Sequence, residues 1–269
     1  MKNPDLATAF HALHRGPEPL ILANAWDAGS ARLIESLGAR AIATTSAGVA
    51  WVHGYPDGDA LPEPQLLATA QAIARVIRVP LSMDIEAGYS DDPDAVGRLA
   101  AALIEAGVVG INLEDGAGAP ELLCAKIARI RRVARELGVD LYINARTDVY
   151  LRGLSPEAER VAETCARAAR YREAGASGIF VPRLVEPQAI TEIAAAVGLP
   201  LNLLASPGLP PAPELARLGV RRLSAGSAIA QAVHGRTKAL ATAFLRDGRS
   251  EFPADGVTHR DMNALIAAR

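Results

Sequence analysis

Residues 81–115 read LSMDIEAGYSDDPDAVGRLAAALIEAGVVGINLED. The segment opens on a short apolar run, Leu81–Asp84, and closes on a second, Val109–Leu113. The stretch between them, residues 93–106, has the amphipathic pattern of a helix. Asp92-Pro93 reads as an N-cap followed by proline at the first helical position. Gly107 closes the helix, where the C′ position often needs positive φ. Each strand then runs into acids: Asp84-Ile85-Glu86 after the first, Glu114-Asp115 after the second.

The same unit recurs along the chain. Apolar, often β-branched runs at Leu20–Asn24, Ala41–Thr45, Leu141–Ala145, Gly178–Val181, Leu201–Leu204 and Arg221–Ser224 bring the predicted strands to eight. Helices are predicted over 28–37, 64–77, 93–106, 121–137, 156–174, 186–196, 212–218 and 227–245. Gly38, Gly138, Gly175, Gly198 and Gly219 close helices as Gly107 does. Strands alternating with helices imply a parallel sheet covered on both faces. The alternatives are an open doubly wound sheet and a closed barrel. Eight units, with polar residues after nearly every strand, favour a (β/α)8 TIM barrel; an open sheet gathers its site at one switch point. Residues 1–269 are therefore read as one barrel domain. Residues 1–18 are expected to add a helix outside the barrel, and residues 247–269 a polar tail with a short helix packed on a neighbouring subunit.

Composition narrows the function. The 269 residues are 50% hydrophobic, 22% charged and only 4% aromatic, so a large core must be built from Ala, Val, Leu and Ile. A net charge of -2 with no basic run disfavours nucleic-acid partners. Two cysteines, Cys124 and Cys165, suit a reducing cytosol. MKNPDLATAF has no apolar signal core, and no run is long enough to span a membrane. A cytoplasmic enzyme is expected.

In a barrel the strand ends share one mouth. Read across, they supply Asn24, Trp26 and Asp27; Thr45 and Ser46; Asp84 and Glu86; Glu114 and Asp115; Asn144, Arg146 and Asp148; then Arg183, Asn202, Ser224 and Ser227. Two carboxylates one residue apart, Asp84 and Glu86, can point the same way, and Glu114 lies one strand over. Hard oxygen donors suit Mg2+ or Mn2+. Arg146 can clamp an anion in bidentate geometry, or pair internally with Asp148 or Glu114. Asp57, in Gly54-Tyr55-Pro56-Asp57-Gly58, reads by itself as a turn. The three lysines, Lys2, Lys126 and Lys238, fall at no strand end, which argues against a Schiff-base aldolase. The five histidines show no ligand spacing; His53 alone lies near the mouth, where it reads as structural.

At these positions the chain resembles the isocitrate lyase/phosphoenolpyruvate mutase superfamily. The resemblance runs from about Leu20 to Gly235. It is carried by Asn24-Ala25-Trp26-Asp27, Thr45-Ser46-Ala47-Gly48-Val49, Gly54-Tyr55-Pro56-Asp57, Asp84-Ile85-Glu86-Ala87-Gly88, Asn112-Leu113-Glu114-Asp115 and Asn144-Ala145-Arg146-Thr147-Asp148. It implies Mg2+ (or Mn2+) held near Asp57, Asp84, Glu86 and Glu114, some acting through water. It implies catalytic roles for Arg146, Asp57 and Glu114. An α-oxo acid would meet Arg146, the amides and hydroxyl of Thr45, Ser46 and Ala47, and Trp26 and Asn202. The implied chemistry cleaves or rearranges a C–C or P–C bond through an enolate-like species. The implied assembly is a homodimer or homotetramer with the eighth helix exchanged between subunits.

Three departures stand out. Glu86 replaces the usual second aspartate. The Lys-Arg-Cys-Gly-His loop of the lyase branch and the Lys-Thr-Asn loop of the phosphonate branch are both missing from residues 115–126. Arg183 stands where a glutamate is common. The alternative reading is therefore a barrel that binds a metabolite without turning it over. A metal-free, phosphate-binding barrel is a third, resting on the small-residue loops at 205–208 and 224–227.

Overall fold

The computed structural model describes residues 3–248 and 256–268. Its sheet is all parallel: β1 (Leu20–Leu22), β2 (Asn24–Ala25), β3 (Ile42–Thr44), β4 (Leu81–Asp84), β5 (Gly110–Glu114), β6 (Tyr142–Arg146), β7 (Gly178–Val181), β8 (Leu201–Leu204) and β9 (Val220–Ser224). The order β1-β9-β8-β7-β6-β5-β4-β3-β2 follows the chain, and β1 and β2 are separated only by Ala23. The predicted first strand thus breaks in two. Leu20–Leu22 pairs with β9 and Asn24–Ala25 with β3, so one segment joins both ends of the sheet into a barrel.

The helices between strands are α2 (Ala28–Ser36), α4 (Glu63–Val76), α5 (Pro93–Glu105), α6 (Pro120–Glu136), α8 (Arg160–Ala174), α9 (Pro187–Ala196) and α10 (Ala212–Arg217). Two short helices at the mouth, α3 (Ser46–Val52) and α7 (Val149–Arg152), were not anticipated. Each is a single turn or two, too short to show periodicity. Proline opens α4, α5, α6, α9 and α10, and Asp92 caps α5 by accepting from the Asp94 and Ala95 amides. Gly107 follows α5 at φ 101°, which a side chain would resist.

The core between strands and helices is aliphatic, as composition required: Leu99, Leu103, Ile111, Ile127, Ile130, Ile143, Ile179 and Leu203 are all buried. Inside the barrel the character changes. Asn112, Asn144, Asn202, Arg222 and Ser224 form a buried polar layer. Asn112 Oδ1 accepts from Asn144 Nδ2 at 2.9 Å and from Arg222 Nη2 at 3.2 Å, and Ser224 Oγ donates to Asn202 Oδ1 at 3.2 Å. Burial pulls the Arg222 pKa down to about 10.

Each terminus adds a helix, as expected, and the structure places both against this chain. The helix α1 (Pro4–Leu13) does not lie apart from the barrel but plugs its lower end. Phe10 is fully buried, and the His14 ring stacks on Tyr142 with centroids 4.0 Å apart. Gly110 makes room, since a Cβ there would lie 2.5 Å from the Phe10 ring. The tail helix α12 (His259–Ala267) packs on α2 of its own chain, where Arg32 donates to the Leu265 and Ala268 carbonyls. Residues 1–2, 249–255 and 269 of the expected extension and tail lie outside the described residues. The helix α11 (Ala228–Asp247) buries only Ala230.

Candidate active site

Parallel pairing sets the mouth. Register places Glu114 opposite Arg146 and Asp84 opposite Asn112, so side chains at neighbouring strand ends face one another. Arg146 Nη1 meets Glu114 Oε2 at 2.5 Å. The same guanidinium is held from behind by Asp148, with Nε to Oδ1 at 2.7 Å and Nη2 to Oδ2 at 3.1 Å. Both internal pairings foreseen for Arg146 therefore occur, and they aim its third nitrogen into the mouth.

Asp148 is itself fixed. Its amide donates to Asp115 Oδ1 at 2.9 Å, while Asp115 Oδ2 accepts from Tyr171 Oη at 2.6 Å and from Arg167 Nη1 at 2.9 Å. Asp115 is thus an anchor rather than a mouth acid. It ties the loop after β5 to α8.

Asp84 lies beside Glu114. Its amide donates to Thr44 Oγ1, and its carboxylate accepts from the backbone N–H of Ser46 and Glu86. Burial raises its pKa, with Arg146 opposing and the Asp57 charge adding to the rise. Burial likewise pushes Glu86 up to about 7 and Glu114 up to about 8, the latter against the pull of Arg146. Asp57, exposed on its loop, bears on both Asp84 and Glu86. The four expected metal-site acids therefore share one electrostatic environment. Among the described residues, no three His, Cys, Asp or Glu side chains form a ready-made metal cage.

Glu86 is the acid whose surroundings sequence missed. Its Oε2 accepts from the amides of Gly58 and Asp59, and its Oε1 from Tyr89 Oη at 3.1 Å. Asp59 answers across the gap, its Oδ1 accepting from the Ala87 and Tyr89 amides at 3.3 and 3.2 Å. Loop 54–60 and turn 85–89 are thus laced together, which explains why the longer glutamate suits this position. Asp59, Glu86 and Tyr89 all have positive φ, at 56°, 52° and 57°. Each such residue costs about 1–3 kcal/mol and persists only where its surroundings over-determine it.

The remaining expectations divide. Thr45 and Ala47 are buried and Ser46 half-buried where β3 meets α3, and Trp26 packs half-buried beneath them against Gly48. Asn202 is fully buried beside the polar layer, its Oδ1 accepting from Ser224 Oγ and its Nδ2 without a partner among the described residues. Asp27 caps α2, and Asn24 staples β2 to the Thr44 carbonyl and the Gly226 amide. His53 meets Thr69 at 2.8 Å, a structural role as read. Cys124 is half-buried on α6, and burial raises its thiol, the opposite of an activated nucleophile.

A cleft of about 410 Å3 opens beside the mouth, lined by Asp59, Glu86, Glu114, Lys126 and the loop 116–119. Lys126 was set aside because it follows no strand. The fold brings it there from α6, buried, through the i+3 and i+4 face it shares with Leu123 and Ile127.

The chain matches the family model for phosphoenolpyruvate phosphomutase over residues 10–245. It is 40% identical over 223 residues to an uncharacterised protein of Mycobacterium tuberculosis (strain ATCC 25618 / H37Rv), covering 81% of this chain and 82% of that one. It is 31% identical over 238 residues to an oxaloacetate decarboxylase of Pseudomonas entomophila (strain L48), covering 83% and 79%. The solved structure of a phosphonopyruvate hydrolase, in complex with oxalate and Mg2+, has a TM-score of 0.84 at 23% identity over 98% of this chain and 95% of that one, a likeness of fold. With the barrel and its mouth already described, the chain belongs to the phosphoenolpyruvate mutase/isocitrate lyase superfamily, as a lyase- or mutase-like enzyme.

Proposed function

We propose that this enzyme uses Mg2+ or Mn2+ to act on a small α-oxo acid, cleaving or rearranging a C–C or P–C bond. One observation carries the reading: Arg146, locked by Asp148, presents Nη1 to Glu114 beside the half-buried Asp84. Burial and mutual repulsion disfavour the anionic forms of Asp84, Glu86 and Glu114, a strain that a divalent cation would relieve, and their hard oxygens fit one that keeps several waters. Asp84 and Glu114 would hold it, with Asp57 and Glu86 acting through water. Bound there, such a cation supplies charge stabilisation as an enolate-like oxygen develops on the substrate.

The chain's own groups do the rest. Arg146 exchanges part of its contact with Glu114 for the substrate's anionic end, and Asp148 keeps the fork in plane. The Ser46 and Ala47 amides at the start of α3 receive the carboxylate, and Trp26 walls that side. The oxaloacetate decarboxylase relative supports an oxo diacid as substrate class. The test is a panel of oxaloacetate, phosphonopyruvate and methylisocitrate with Mg2+, beside calorimetry of Mn2+ binding. Turnover that Arg146→Ala and Asp84→Ala abolish is expected; no turnover and no Mn2+ binding would overturn the proposal.

The loop after β5 favours a second reading, a metabolite-binding barrel. Its one charged residue, Asp115, is committed to Arg167 and Tyr171, leaving Gly116-Ala117-Gly118-Ala119 at the cleft. Turnover of any oxo acid in that panel excludes this reading.

The proposed assembly is a cytoplasmic homodimer or homotetramer. Support comes from α11, whose 20 residues leave Ile229, Val233, Phe244 and Leu245 exposed, as a helix exchanged between subunits would. No helix among the described residues is long and apolar enough to cross a membrane.

A further inference from the structure

We propose that Lys126 is a positioning residue, which with Asp59 clamps the two peptides flanking Ala87 and so fixes the Glu86 turn and the Asp57 loop over the mouth. Lys126 is only 3% exposed, yet it makes no close pair with a buried acid. Its Nζ donates to the Ala87 carbonyl oxygen at 2.8 Å, and its nearest carboxylate, Asp91, stands 3.6 Å away and 91% exposed. A buried ammonium is costly unless it is paired and hydrogen-bonded. Here it holds the carbonyl of the residue that follows Glu86.

Asp59 holds the other side, accepting from the Ala87 amide and from the Tyr89 amide. Opposite charges thus grip one turn from two directions. Two of the four non-glycine residues with positive φ among the described residues, Glu86 and Tyr89, lie in that turn, and a third is Asp59 itself. The turn therefore needs external restraint, and Lys126 and Asp59 supply it. The clamp reaches Asp57 because the Glu86 carboxylate accepts from the amides of Gly58 and Asp59. Releasing Ala87 frees Glu86, and freeing Glu86 lets loop 54–60 lift from the mouth.

The geometric part stands without a metal; only the metal readout rests on the proposed function. The experiment compares wild type with Lys126→Met, which keeps the buried stem and removes the charge, and with Asp59→Ala, which removes the exposed carboxylate. Amide hydrogen exchange is followed by NMR, and Mn2+ affinity by calorimetry, with Asp84→Ala as the metal control. In both clamp variants the amides of Gly58, Asp59, Ala87 and Tyr89 should exchange at least about tenfold faster, while Ile111, Ile143 and Ile179 in the barrel keep their rates. Mn2+ affinity should fall about ten- to hundredfold, as for lost outer-shell support. Unchanged exchange at the four amides, or acceleration spread evenly over the barrel, overturns the clamp. If Lys126→Met does not fold, Asp59→Ala decides by the same four amides. Wild type that fails to bind Mn2+ sinks the metal reading alone, because the exchange rates still decide the clamp.

Discussion

Arg146 has every nitrogen engaged, two on Asp148 and one on Glu114. Replacing it by alanine takes one of two guanidinium partners from the fully buried Asp148, which keeps Arg152 at 2.9 Å, and takes from Glu114 the one that it meets. Arg146→Ala should therefore cost about 3–5 kcal/mol of stability as well as activity, read from urea denaturation. Arg146→Lys keeps the charge but not the planar fork, and should keep fold better than turnover. The neighbouring acids give a pH dependence. Glu86 and Glu114 have folded pKa values raised to about 7 and about 8 from an ordinary 4.5. Folding thus favours their protonated forms. The associated stability is full below pH 4.5 and is lost as pH rises through 7 and 8. Without metal, the thermal midpoint should fall across that window, and saturating Mg2+ should flatten the fall. Metal binding must also release protons, so calorimetry near pH 7 in two buffers of different ionisation enthalpy should show a proton release that fades above pH 8. The acids at these positions were legible from their place after strands. Their partners were not: nothing local joins Glu86 to Gly58, or Asp115 to Tyr171, residues 28 and 56 apart in the chain.

Among the elements, α8 acts on the site without entering it. Tyr171 and Arg167 hold Asp115, Asp115 holds the Asp148 amide, and Asp148 aims Arg146. Tyr171→Phe removes one buried hydrogen bond to a carboxylate. It should cost about 1–3 kcal/mol of stability and lower turnover more than it alters substrate affinity. The plug helix α1 gives a second test. Gly110→Ala would place a Cβ 2.5 Å from Phe10, and such overpacking costs about 1–3 kcal/mol. Amides of α1 should then lose exchange protection before those of the mouth. Helices of three or more turns were read from periodicity to within a residue or two at most ends. The short α3 and α7 escaped because one or two turns carry no period, and α1 was misplaced because amphipathicity says what a helix buries, not against which surface.

At the scale of the whole molecule, the exposed α11 makes the assembly a measurable property. Light scattering should give a mass of two or four times 28.1 kDa, and Phe244→Asp with Leu245→Asp should shift it toward the monomer. An unchanged mass in the double variant would remove the helix from the interface. Exhaustive dialysis against EDTA should silence the enzyme, and Mg2+ or Mn2+ should restore it.

By itself the sequence determined the eight-unit alternation, the aliphatic core and the acids and arginine waiting at strand ends. These are properties of neighbours, because side-chain direction repeats every two residues in a strand and every 3.6 in a helix. Only the tertiary structure decided that the first strand splits to close the ring, that α1 plugs the floor, and that α12 returns to α2. It alone brought Lys126 and Asp59 to one residue, Ala87. Those outcomes depend on the stagger between strands as the barrel closes, which sets the depth of each inward side chain and lies in no local pattern.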